Sequence, residues 1–115
     1  MDEVHTLRDT YHADHVMLIT EQGGNYCGLA GVQTEAPDSS FASKAFGISK
    51  RSCTLSNLTF GHELGHTMGL LHDWYIDDRL NPFTYAHGHV NDDSNLPWRT
   101  IMSYDDLCRN QGFNC

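Results

Sequence analysis

The sequence predicts an α+β fold: a mixed, mostly parallel sheet beside one helix built to hold a metal. Three observations lead there. Residues 2–12 carry apolar side chains at helical spacing and run into Val16-Met17-Leu18-Ile19, a continuous apolar run. A helix feeding a strand with both faces covered is the pattern of a mostly parallel layer. Two more short strand patterns follow. Then comes His62-Glu63-Leu64-Gly65-His66-Thr67-Met68-Gly69-Leu70-Leu71-His72-Asp73, which reads H-E-x-x-H-x-x-G-x-x-H-D.

At 115 residues the chain is at most one small domain, read as 1–115. A core that small gains from a metal or disulfides. The formal charge of −8 argues against nucleic acid and anionic membrane as partners, since both attract basic surfaces. No window holds enough apolar residues for a transmembrane helix. Asp2, Glu3, Asp9 and Asp14 interrupt the first twenty positions, so no signal peptide is read there. Met1, directly before a helical pattern, fits a fragment start as well as a natural N-terminus.

The first element is the helix over 2–12, with Val4, Leu7 and Tyr11 as its apolar stripe and Arg8 beside them. Ala13-Asp14 breaks it, and Val16–Ile19 is the first strand. Gly23-Gly24-Asn25 is a turn. Tyr26–Val32 is the second strand, whose small residues suit a bulge or close backbone approach. Residues 34–43 are loop, and Ala45–Ser49 is the third strand. Ser56 or Asn57 caps a helix over about 56–69, with Leu58, Leu64, Met68 and Leu71 as its core face. Residues 73–98 show no periodicity and form one long loop, a feature that is usually functional. The order resumes at Trp98–Tyr104, and residues 105–115 read as a cysteine-closed turn.

Two histidines four apart on a helix point the same way, so His62 and His66 can grip one ion. Gly69 ends the helix by admitting a positive φ. The turn brings His72 up as a third ligand. Three protein ligands leave one position for water, the composition of a catalytic rather than a structural zinc site. Glu63 flanks the ion without ligating it. The four cysteines fit two disulfides in an oxidising compartment, or four reduced thiols. Of three connectivities, the one favoured joins neighbours in sequence, Cys27–Cys53 and Cys108–Cys115. The plainer reading is kept elsewhere: His5, His12 and His15 are surface residues, and His87 and His89 hold no second metal. Trp74, Tyr75 and Trp98 pack, and Asp77, Asp78, Asp92 and Asp93 form a solvated loop rather than a calcium site.

The extended motif, with Ile101-Met102-Ser103-Tyr104 downstream, resembles the metzincin zinc metalloendopeptidases, whose third histidine is followed by a Met-turn. The likeness is greatest to the peptidyl-Asp metalloendopeptidases. It rests on Leu7-Arg8-Asp9, Tyr26-Cys27-Gly28, Ser52-Cys53, Phe60–Asp73, His87-Gly88, Trp98–Tyr104 and Gly112–Cys115. Asp73 after the third histidine is similar to adamalysins, and Tyr104 two residues after Met102 is similar to astacins and serralysins.

The resemblance implies a zincin-like fold and a secreted, monomeric endopeptidase that acts on protein or peptide. It implies Zn2+ on His62, His66 and His72, with Glu63 as general base and then acid. Tyr104 would donate to the developing oxyanion. Met102, in a Met-turn at about 100–104, would floor the site. Peptide would bind by strand addition, with Phe41–Ser49 as a candidate edge. A preference for acidic residues would need a cation, Arg99 first and Arg51 second. Metzincin domains also carry a strand, helix and strand before residues 2–12 and a helix after the Met-turn. Lacking these, the chain is expected to be a partial domain. The alternative is an incomplete or inactive module that binds zinc or a protein partner without turnover.

Overall fold

A computed structural model of the chain describes residues 2–115. In order it contains α1 (Asp2–Thr10), β1 (Val16–Thr20), β2 (Gly28–Ala30), a 3-10 turn (Ser39–Ser43) and β3 (Phe46–Lys50). Then come α2 (Arg51–Thr54), α3 (Thr59–Thr67), β4 (Val90–Asn91), β5 (Trp98–Arg99) and α4 (Asp106–Asn110). The three-stranded sheet has the order β1-β3-β2. β1 lies parallel to β3, with Val16 opposite Phe46 and Thr20 opposite Lys50. β2 lies antiparallel, with Gly28 opposite Ser49. The sheet is therefore mixed, and parallel only in its longer ladder.

β3 is the central strand, with a partner on each side. This corrects the expectation that Phe41–Ser49 offers an edge to a peptide. Its backbone groups are already paired, and Phe41 sits in the 3-10 turn. The free edges belong to β1 and β2.

α3 packs on β3 and β2. The sheet face beneath it carries Gly28, Ala30, Gly47 and Ser49, small enough to let a helix approach closely. The side of α3 turned inward is Thr59, Glu63, Gly65, His66 and Thr67. The expected leucine face is thus not the buried one. Leu58 and Met68 are exposed, Leu64 is half-buried, and only Leu71 is fully buried. Small sheet residues leave room for polar side chains on the inner side and turn the large apolar ones outward. The helix is also shorter than 56–69. Leu58, in the left-handed region at φ 55°, precedes it without a side-chain cap. Ser56 donates instead to Ser52 O. At the other end Gly69, at φ 88°, turns the chain out as expected.

The other face of the sheet corrects the reading of β1 as covered on both sides. Leu18, Ile48 and Leu29 stand in register and are 57%, 41% and 69% exposed. α1 covers only the end of that face near Phe46. His5 meets the Phe46 ring edge-on at 4.7 Å, and the Arg8 guanidinium stands 5.6 Å over the same ring while donating to Ala42 O. Val4, Leu7 and Tyr11, the expected stripe, are exposed.

The second half also differs from the expectation in two places. The long loop contains the β4–β5 ribbon, with Val90 opposite Arg99. Each strand has only two residues, too few for an alternation to show. A helix does follow the turn at Met102: α4, closed by the Cys108–Cys115 disulfide. Cys27–Cys53 forms as well, tying β2's approach to α2. Among the described residues no helix is long and apolar enough to cross a membrane.

Candidate metal centre and active site

α3 presents His62 and His66 one turn apart, and the chain leaving Gly69 returns His72 to them. His72 Nε2 lies 3.2 Å from His62 Nε2 and 3.1 Å from His66 Nε2. The opposite nitrogens meet backbone carbonyls: His62 Nδ1 faces Ile101 O at 2.8 Å, and His66 Nδ1 faces Leu70 O at 2.9 Å. A carbonyl only accepts, so each Nδ1 carries the proton and each Nε2 offers a lone pair. The lone pairs of His62 and His66 are both turned toward His72, which can bring at most one proton to that side. A cation satisfies all three nitrogens, and the Nδ1–H to carbonyl bonds are the outer supports of ligating histidines. The residues therefore fit a metal ion. Burial pushes the His66 pKa down to about 4 and lowers that of His72 as well. Both rings are thus held neutral, the form that ligates.

Glu63 is only 7% exposed, and burial raises its pKa to about 7. It lies against β2: a Cβ on Gly28 would come within 2.6 Å of Glu63 Cγ. Gly28 is thus a close-approach glycine, a role that its small neighbours signalled. His62, Glu63, Tyr104, Arg99 and Gly28 all line one cleft of about 540 Å³.

Residues at and beyond the end of the motif fix the third histidine. Asp73, 3% exposed, accepts from Tyr75 N at 3.1 Å through Oδ1 and from Tyr104 N at 2.9 Å through Oδ2. It joins the loop behind His72 to the turn over Thr100–Ser103, which is closed by Ser103 N donating to Thr100 O. The sequence marked Asp73 only as a likeness. Its position beside a ligand was the signal that it does structural work. His87 ties the same loop, a role its place in an aperiodic stretch does not reveal. Its Nδ1 faces His72 O at 2.8 Å and its Nε2 faces Arg79 O at 2.7 Å, while its ring stacks on Trp74 at 3.5 Å.

Met102 is buried, and its sulfur packs where a Cβ on Gly65 would lie, 2.5 Å away. It lies beneath α3. The Tyr104 ring meets the His72 ring edge-on at 4.6 Å. Burial, then the charges of Glu63, Asp106 and Asp73, raise its pKa and keep the hydroxyl protonated. Arg99 lines the cleft while donating to Cys115 O at 3.1 Å and Ser103 O at 2.6 Å. Arg51, the second cation considered, is paired with Glu21 and does not line the cleft. Among the described residues no other group of three ligating side chains comes together.

These features define a metal-dependent hydrolase site of the H-E-x-x-H type. A family model described as Metallo-peptidase family M12 matches residues 1–114, and the chain belongs to that family. The Peptidyl-Asp metalloendopeptidase of Xanthomonas campestris pv. campestris is 40% identical over 104 residues, 90% of this chain and 23% of the relative. The chain thus spans less than a quarter of that relative's length. No solved structure matches.

Proposed function

We propose that the chain forms the active site of a secreted zinc endopeptidase of metzincin type. The observation that carries this is a buried carboxylate, Glu63, on the helix that brings His62 and His66 to His72, so that the three Nε2 atoms converge. His62, His66 and His72 would hold Zn2+, which when bound supplies Lewis acidity and lowers the pKa of water toward ~7. The chain's own groups do the rest. Glu63, poised near neutrality by burial, takes the proton of the attacking water and returns it to the leaving amine. Tyr104, protonated and edge-on to His72, donates to the oxyanion. The Thr100–Ser103 turn acts as the Met-turn. Ile101 O orients His62, and Met102 floors α3.

β2 offers the edge for an extended peptide, since its Gly28 touches Glu63 and its outer side is unpaired in the sheet. The relative's name points to aspartate at the cut; of the two arginines that line the cleft, Arg109 is paired with Asp105, so Arg99 is the cation that suits it. Arg99→Ala should abolish a preference for aspartate while sparing neutral peptides. An unchanged preference removes Arg99 from that role.

The exposed row Leu18–Ile48–Leu29 favours a second reading, a module that binds zinc or a protein partner without turnover. The test is cleavage of an unfolded protein by the zinc-loaded chain, with and without a chelator, beside Glu63→Ala. Chelator-sensitive cleavage lost in Glu63→Ala supports the first reading. Zinc binding with no cleavage by either form supports the second.

A further inference from the structure

Arg8, Arg51, Arg79 and Arg109 each pair with a carboxylate. Arg99 meets none among the described residues. Two neutral carbonyls hold it instead: Nε donates to Cys115 O at 3.1 Å, and Nη1 donates to Ser103 O at 2.6 Å. A guanidinium carries five N–H donors, so its Nη2 remains open for a ligand. Its charge is also left uncancelled, in the wall of the cleft that Glu63 lines.

The two carbonyls are fixed by different means. Ser103 is 2% exposed, its N donates to Thr100 O, and its hydroxyl donates to His89 O at 3.0 Å. Cys115 has no such frame. After α4 the chain turns at Gly112, φ 91°. There Phe113 N donates to Cys108 O at 3.1 Å and Gly112 N to Arg109 O at 3.0 Å, the paired bonds of a glycine helix end. Among the described residues, Asn114 and Cys115 make no hydrogen bond beyond the one from Arg99. What fixes Cys115 is its disulfide to Cys108, a fully buried residue of α4.

We propose that the Cys108–Cys115 disulfide positions Arg99 to receive an acidic side chain of the substrate, and so serves specificity as well as stability. This rests on the reading of Arg99 as the cation for aspartate. Cys115 acts only through Arg99. A loose arginine must give up its rotamer freedom when a ligand binds, and that loss weakens the complex. An arginine tied to two carbonyls has given it up beforehand. Ties to neutral acceptors also leave the full charge for a carboxylate, where a second pairing partner would compete for it.

The test compares two peptides that differ only in aspartate or asparagine at the cut, cleaved by the zinc-loaded chain. Cys115→Ala opens the tether and keeps Cys108 in place as a buried thiol. It should lower the aspartate-to-asparagine ratio of kcat/KM by about three- to tenfold, the cost of immobilising one long side chain. The fall should lie in KM for the aspartyl peptide, with turnover of the asparaginyl peptide and zinc affinity unchanged. Arg99→Ala should bring the ratio to about one, and adding Cys115→Ala to it should cost nothing more, as expected of groups that act as a unit. If Cys115→Ala does not fold, opening the same bond in the unaltered chain with a phosphine reductant gives the comparison, with mass spectrometry reporting which bond has opened. If the chain does not cleave, the ratio is taken from the dissociation constants of the two peptides. A full ratio after the tether is opened, beside a lost ratio in Arg99→Ala, overturns this inference and leaves Arg99 its role. An equal fall for both peptides reduces the disulfide to general stability and also overturns it. An unchanged ratio in Arg99→Ala, or no preference in the parent chain, removes the role of Arg99 and this inference with it.

Discussion

Gly28→Ala tests whether β2 confines Glu63, the proposed general base. The added Cβ would lie 2.6 Å from Glu63 Cγ and 2.6 Å from Thr59 Cγ2, and closer still to a carboxylate oxygen. Carbon atoms pack at about 3.5–4.0 Å, so roughly 1 Å must be found. Neither neighbour yields easily, since Glu63 and Thr59 are both buried on the inner side of α3. If the helix lifts, overpacking costs about 1–3 kcal/mol, a loss of roughly 5–15 °C in Tm. If Glu63 swings instead, a carboxylate about 1 Å out of place costs on the order of 100-fold in kcat. Zinc affinity should hold, because the supports of His62 and His66 are Ile101 O and Leu70 O, away from Gly28.

The assay is peptide hydrolysis by the zinc-loaded variant, with zinc affinity and Tm measured on the same sample. Adding Glu63→Asp removes a methylene from the clash. The double variant should regain Tm and stay inactive, a non-additivity expected of groups in contact. A folded, zinc-loaded Gly28→Ala with native turnover would refute the reasoning. Either Glu63 would not be the base or β2 would not hold it.

Asp73→Ala leaves the backbone N–H groups of Tyr75 and Tyr104 without their acceptor, and zinc affinity should fall about 10–100-fold, as for other outer supports of a metal site. Competition with a chromogenic chelator measures it. In the zinc-free chain Glu63 has a pKa of about 7 against an ordinary 4.5, so its share of stability is present below 4.5 and lost as pH rises through 7. Glu63→Gln should remove roughly 3 kcal/mol of that decline in urea melts, and an unchanged pH profile would contradict the burial argument. His66, with its pKa at about 4, acts oppositely, since its share is present above 6.5 and lost as pH falls through 4. Removing Cys27–Cys53 should cost about 3.5 kcal/mol and removing Cys108–Cys115 about 2.4, because the closed loops differ in length, 26 against 7 residues. Equal losses in urea unfolding would count against chain entropy as the cause.

What could be read from the sequence was whatever depends on local spacing. His62, His66 and Gly69 obey helix geometry, so their mutual placement followed from the period alone. The cysteine pairs are close in sequence and were favoured for that reason. What escaped depends on partners far along the chain. The leucine pattern of α3 gave the wrong inner face because sequence does not show that Gly28, Gly47 and Ser49 lie opposite it. The edge was assigned to β3 because strand order is set by pairing, and pairing is non-local. The same cause hid Asp73 and His87. Each is a polar residue in what read as loop, yet each holds backbone at the third ligand across 31 and 15 residues of chain. The motif therefore states which atoms converge where a metal fits, and long-range polar ties determine how firmly they are held. Variants at Asp73 and His87 should consequently change zinc affinity more than variants at the exposed Leu58 or Met68, although Met68 lies inside the motif and Leu58 just before it.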